Sequence, residues 1–265
     1  MAWDIANTKC HDDCRAYHKV RPLLRALGLS AQPLDQRGFF DEALASGGRD
    51  VLVCGASDPA MPRLVLASLK RSGNSARICI LDRCETPLDL SRRIFQSSAS
   101  GISTCAADIL TWKSAAQYDV ITTHSLLGQF APGLRSALFR KWFDLLRPGG
   151  RVVTVNRIRS DLSSTSFALD AIEQLADEVS ARCRHVAAFK DVDIDEVRAA
   201  VRAYAQTRRT NPVHSTEEII DLCRAAGLTV LCADERYPEI GVPDIVGPAI
   251  PADAPYLHLI AQRPA

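Results

Sequence analysis

Asp50-Val51-Leu52-Val53-Cys54-Gly55-Ala56-Ser57-Asp58-Pro59-Ala60-Met61 is an apolar, β-branched run that empties into small residues and then opens a helical pattern. A run this short, without polar alternation, suits a strand buried on both faces, as in a parallel sheet. Small residues at the strand-to-helix turn let a ligand approach the backbone. Gly55, Ala56 and Ser57 are therefore candidate binding positions.

The same signal recurs at Arg77-Ile78-Cys79-Ile80-Leu81, Tyr118-Asp119-Val120-Ile121-Thr122 and Arg151-Val152-Val153-Thr154-Val155, with helical periodicity between. One helix carries Leu64, Val65, Leu66 and Leu69, with Pro62 in its first turn and Gly73 past its end. Thr86-Pro87 reads as an N-cap followed by a proline at the first helical position. Leu134, Leu138, Phe139, Trp142, Leu145 and Leu146 mark another helix, stopped by Pro148-Gly149-Gly150. Ser215-Thr216-Glu217-Glu218 is a capping box, and strands near 228–233 and 256–262 complete the sheet. Strands alternating with helices predict a parallel α/β sheet.

Two segments break the alternation. Residues 1–46 read as amphipathic helix, broken at Pro22 and ended by Gly28. Residues 160–210 hold two more helical stripes, one through Phe167, Ile172, Leu175, Val179 and Cys183, the other through Ile194, Val197, Val201 and Tyr204. The chain divides on this reading into a cap segment (1–46), a core (47–158 and 211–265) and a helical lid inserted at 159–210. Pro238, Pro243, Pro248, Pro251 and Pro255 predict a stiff loop before the last strand.

The 265 residues hold 47% apolar and 24% charged side chains, enough for a full core and against general disorder. Lys and Arg (32) balance Asp and Glu (31), which argues against a nucleic-acid binder. Arg92-Arg93 and Arg208-Arg209 read as solvated helix faces or ends. No apolar run is long enough for a membrane span, and the first residues carry no secretory pattern. Nine scattered cysteines then point to a reducing cytoplasm. Nothing in the sequence assigns an oligomeric state.

Two further strand tips carry carboxylates. Leu81-Asp82 places an acid where it can accept both hydroxyls of a ribose, and Ala107-Asp108-Ile109-Leu110 sets another beside apolar residues able to line an adenine. For Asp82 a helix-capping aspartate is the plain alternative.

These pieces, with Tyr118-Asp119-Val120-Ile121-Thr122-Thr123-His124 and Leu146-Arg147-Pro148-Gly149-Gly150-Arg151, resemble class I S-adenosylmethionine-dependent methyltransferases in order and spacing over roughly 50–157, and again over 214–233. The resemblance implies a Rossmann-like, seven-stranded, mostly parallel sheet with the last strand antiparallel, plus the helical cap. It also implies S-adenosylmethionine as cofactor. Gly55, Ala56 and Ser57 would lie under its methionine part, Asp82 with Arg83 at the ribose, Asp108 and Ile109 at the adenine, and Thr123 at the cofactor edge. The family's turn usually has three glycines; Ser57 and Pro59 stand at two of those positions, and Val53 replaces an acid often found on strand one.

In the resembled family the segment after strand four faces the transferred methyl group. His124 would sit there as a general base with a pKa near neutrality; the alternative is a structural histidine. An Asn-Pro-Pro-aromatic sequence is absent, which favours a small-molecule acceptor. Tyr17, His18, Arg157 and His214 are candidate acceptor contacts. Cys10, Cys14 and His18 fall at i, i+4 and i+8 on one helical face, but structural zinc takes four ligands, usually from two segments, so the sequence is read without a metal site.

A methyltransferase for a small acceptor is the leading expectation. The others are a non-catalytic cofactor-binding or scaffold protein and an NADPH-dependent short-chain reductase. The last needs Tyr-x-x-x-Lys, which no tyrosine here provides.

Overall fold

The computed structural model describes residues 1–96, 101–160, 166–189, 192–209, 211–237 and 254–265. Seven strands, β1 (Asp50–Cys54), β2 (Arg77–Asp82), β3 (Ile102–Ala106), β4 (Tyr118–His124), β5 (Leu146–Arg157), β6 (Thr229–Arg236) and β7 (Tyr256–Gln262), form one sheet in the order β3-β2-β1-β4-β5-β7-β6. The first five run parallel, and β7 pairs antiparallel with both β5 and β6. The strand order reverses at β1, between β2 and β4. That reversal opens a crevice at the carboxyl edge, where open α/β sheets bind ligands.

Side-chain alternation splits each strand between two cores. Leu52, Ile121, Val152 and Leu259 pack on one face with Trp142 of α6 (Pro132–Leu145) and Ile219 of α9 (Thr216–Ala225). Val51, Val53, Ile80 and Val153 pack on the other with Phe40 of α3 (Arg37–Ala45), Leu64 of α4 (Ala60–Arg71) and Leu88 of α5 (Glu85–Phe95).

A third core stands apart from the sheet. Val20 and Leu24 of α2 (Asp12–Ala26) meet Ile172 and Val179 of α7 (Leu169–His185) and Val197 and Val201 of α8 (Ile194–Thr207). Burying each such side chain contributes roughly 1.5–3 kcal/mol, so these amphipathic helices hold one another. The short α1 (Ala2–Lys9) instead packs Ala6 near Cys84 at the start of α5. Among the described residues no helix is long and apolar enough to cross a membrane.

Local details differ from the sequence reading. Pro22 does not break the first helix: α2 runs through it, losing only the hydrogen bond its N–H would have donated. Gly28, at φ +68°, does end it, with Leu29 N–H donating to the Leu24 carbonyl at 2.8 Å. Thr86 is not a cap; the N-cap of α5 is Cys84, whose Sγ accepts from the Thr86 N–H. Pro148-Gly149-Gly150 lies inside the long strand β5, which shifts register against β4 between Tyr118 and Val120. Pro238, Pro243, Pro248 and Pro251 lie outside the described residues.

Candidate functional site

The crevice at the strand reversal holds a cavity of about 440 Å³, within the range of small-molecule pockets. Gly55, Ser57, Asp82, Arg83, Asp108 and Ile109 all line it, brought from three different strand ends. Tyr17 and His18 of α2 and Tyr204 and Arg208 at the end of α8 close it from the cap side.

Gly55 has φ +71° and donates its N–H to the Leu81 carbonyl at 2.8 Å. The backbone conformation favours glycine; a Cβ there would stand 2.5 Å from Leu126 Cδ1, the end of a side chain that would have to shift. Asp82 Oδ1 accepts the Cys84 N–H at 2.8 Å, while burial pushes its carboxyl pKa up despite that bond and the nearby His18. A buried carboxylate with spare lone pairs at a cavity wall calls for donors from a ligand. Asp108 spends one oxygen on the Leu110 N–H at 2.9 Å, shaping its own turn, and keeps the other for the cavity.

On the cap side the rings of Tyr17 and Tyr204 lie 6.1 Å apart at 31°, and the Arg208 guanidinium is 5.4 Å from the Tyr17 ring. Sequence reasoning took Tyr204 for core and Arg208 for a solvated helix end. An amphipathic stripe does not reveal that its last turn overhangs a cavity.

The remaining expected residues stand elsewhere. Ala56 is buried in the α3–α4 core. Thr123 is fully buried, and its Oγ1 has no partner. His214 is exposed and donates its N–H to Glu218 Oε2 at 3.1 Å. Arg157 lies over the Tyr256 ring at 4.7 Å.

His124 is the last residue of β4, not part of the loop beyond it, and does not line the cavity. Its register with Val155, and that of Val155 with His258, puts it on the face of the α3–α4 core, with its ring 6.3 Å from that of Tyr256. Neither ring nitrogen has a hydrogen-bond partner. Burial, reinforced by Arg25, Arg21, His258 and Arg157, pushes its pKa down to about 3, so the imidazole is neutral rather than poised near neutrality. Ser125 turns the chain away with φ 54°, its N–H donating to the Val155 carbonyl at 2.7 Å.

The cap is pinned to this end of the sheet by an ion pair the sequence did not suggest. Arg25 of α2 binds Asp58, which also accepts the Ala60 N–H at 2.8 Å at the start of α4. Both side chains are nearly buried, at 11% and 6% exposed.

No protein-family model and no curated protein matches the chain. Solved structures do. The 1,6-didemethyltoxoflavin-N1-methyltransferase of Burkholderia thailandensis, with bound 1,6-didemethyltoxoflavin and S-adenosylhomocysteine, is similar with a TM-score of 0.61 and 16% identity, over 96% of this chain and 86% of that one. The N-methyltransferase NodS of Bradyrhizobium japonicum WM9, with S-adenosylhomocysteine, gives 0.56 and 16%, over 92% and 98%. The S-adenosylmethionine-dependent methyltransferase SibL gives 0.56 and 19%, over 95% of this chain but 58% of that one. The fold is that of the class I S-adenosylmethionine-dependent methyltransferases.

Proposed function

We propose that this chain is an S-adenosylmethionine-dependent methyltransferase acting on a small-molecule acceptor. One observation carries the reading: Gly55, Asp82 and Asp108, from three strand ends, line a single cavity at the strand reversal. The residues fit the cofactor, since glycine space and two carboxylates are what a methionine tail, a ribose and an adenine amine would meet. When bound, the cofactor supplies a sulfonium-activated methyl group. Two similar structures hold its demethylated product, and one also holds a small molecule named as its enzyme's substrate.

The chain's own part is placement. Asp82 accepts from vicinal hydroxyls, replacing water lost on burial, and Asp108 accepts from an exocyclic amine. Tyr17, Tyr204 and Arg208 exclude water from the mouth and offer a flat, cationic surface to the acceptor. Holding nucleophile, carbon and leaving group in line is worth up to about 7–11 kcal/mol, without a protein nucleophile. His124 takes no base role in this reading, because it is neutral, weakly basic and outside the cavity. An acceptor that ionises unaided fits such a site. Nine free thiols favour a reducing cytoplasm as its setting.

A second reading, a cofactor-binding protein without transfer, is favoured by Ser57 and Pro59 at two glycine positions of the turn. Calorimetric titration with S-adenosylmethionine, S-adenosylhomocysteine and NADPH, followed by labelled-methyl transfer to a panel of small phenols, amines and thiols, tests both. Binding of the first two with methyl transfer is expected. Binding without transfer to any acceptor favours the second reading, and binding of NADPH alone contradicts both.

A further inference from the structure

We propose that Cys10, Cys14, His18 and Cys84 form a tetrahedral Zn²⁺ site that ties the N-terminal helices to the turn between β2 and α5. Cys14 and His18 stand one turn apart on α2, while Cys10 is not on that helical face as the sequence spacing suggested but in the extended break between α1 and α2; the fold brings the fourth, Cys84, from the turn after β2. One ligand atom from each of the four lies within 4.8 Å of every other. Cys84 Sγ is 3.5 Å from Cys10 Sγ and 3.7 Å from Cys14 Sγ. A zinc ion with Zn–S bonds of about 2.3 Å sets tetrahedral ligands about 3.8 Å apart, so the group needs little movement to close on one. The separations are far longer than the roughly 2.05 Å of a disulfide, and all nine cysteines are free.

The surroundings suit thiolate ligation. Cys10, Cys84 and His18 are buried, at 6%, 8% and 5% exposed, and His18 Nδ1 has no hydrogen-bond partner. Cys84 caps α5 and accepts the Thr86 N–H at 3.4 Å, while the Thr86 hydroxyl is 2.9 Å from Cys10 Sγ. Such donors orient and stabilise metal-bound sulfur. Cys14 and His18 also line the cavity, and Cys84 donates its N–H to Asp82, so the site would fix the wall that carries that carboxylate.

The test uses the full chain, reduced and handled without oxygen. Elemental analysis after equimolar Zn²⁺ and desalting should give one zinc per chain. Co²⁺ in its place should give visible d–d bands of tetrahedral coordination and a near-ultraviolet thiolate charge-transfer band, with an intensity that counts three sulfurs. In competition with a chromophoric chelator, Cys84→Ser should weaken Zn²⁺ binding by at least about 100-fold, the upper end of what loss of an outer-shell partner costs. Cys232→Ser, far along the chain on β6, should leave it unchanged. Should Cys84→Ser fail to fold, the wild-type Co²⁺ spectrum still reads the ligand set. A chain that retains no zinc, an octahedral Co²⁺ spectrum, or equal affinities for wild type and Cys84→Ser would overturn the proposal. So would a Cys10–Cys84 disulfide whose reduction yields no zinc-binding form.

Discussion

Asp82 closes β2 and His124 closes β4, both at the carboxyl edge of the same parallel sheet, yet one lines the cavity and the other does not. Asp82 stands beside the strand reversal, with open space on its ligand side. His124 is turned by strand alternation to the α3–α4 face, among Arg21, Arg25, Arg157 and His258. Strand-end position brings a residue to the functional edge; only the face it takes and the helices above it decide whether a ligand reaches it. Burial then acts oppositely on the two groups. It raises the carboxyl of Asp82 and lowers the imidazole of His124, disfavouring charge in both.

The comparison can be broken most forcefully at the ion pair between the two regions. Arg25→Ala leaves Asp58 buried without its cation and should cost about 3–5 kcal/mol in urea unfolding, with part recovered by adding Asp58→Ala. A loss under about 1 kcal/mol would mean that α2 is not held over this edge by the pair.

The second effect is a pH dependence. His124, folded at about 3, and His258, held by burial at about 4, both have pKa values below the unfolded value near 6.5. The unfolded chain therefore binds more protons in that window, and stability falls with falling pH by about 1.4 kcal/mol per pH unit for each histidine. His124→Asn should flatten that slope by roughly half between about pH 6 and 4. An unchanged slope would show that the imidazole is accessible to solvent and that the contrast with Asp82 is wrong.

The smallest effect lies at the opposite edge of the sheet. Hydrogen bonding from Arg77, with Arg147, holds the Asp50 carboxyl down to about 2, against burial. Its contribution is present above the unfolded value near 3.9 and is lost as pH falls through about 2. Because Arg77 is 76% exposed, Asp50→Asn should cost less than about 1 kcal/mol at neutral pH and leave ligand affinity unchanged.

The sheet was legible because each strand is a compact apolar run with a turn signal behind it, and a run such as 50–54 admits few other readings. The strand-tip residues followed, since position along a strand is a one-dimensional property. What escaped was three-dimensional. Cys84 carries no visible link to Cys10, Cys14 and His18 in the sequence, because 65 residues of unrelated chain lie between it and the last of them. Tyr204 and Arg208 look like the core and the end of an ordinary amphipathic helix until the helix is laid across the cavity. His124 was expected just past β4 but is its last residue, on the α3–α4 face and away from the cavity. The register that fixes its face depends on the pairing of β4 with β5.

The most direct measurement is a paired calorimetric titration of S-adenosylhomocysteine into Asp82→Ala and His124→Asn, each checked for native folding beside the wild type. Removing Asp82 deletes two charge-assisted hydrogen bonds to vicinal hydroxyls and should weaken binding about 10–100-fold. His124→Asn should stay within about two-fold of wild type. Equal affinities for the two variants, or a larger loss at His124 than at Asp82, would contradict the placement of the cofactor in this cavity.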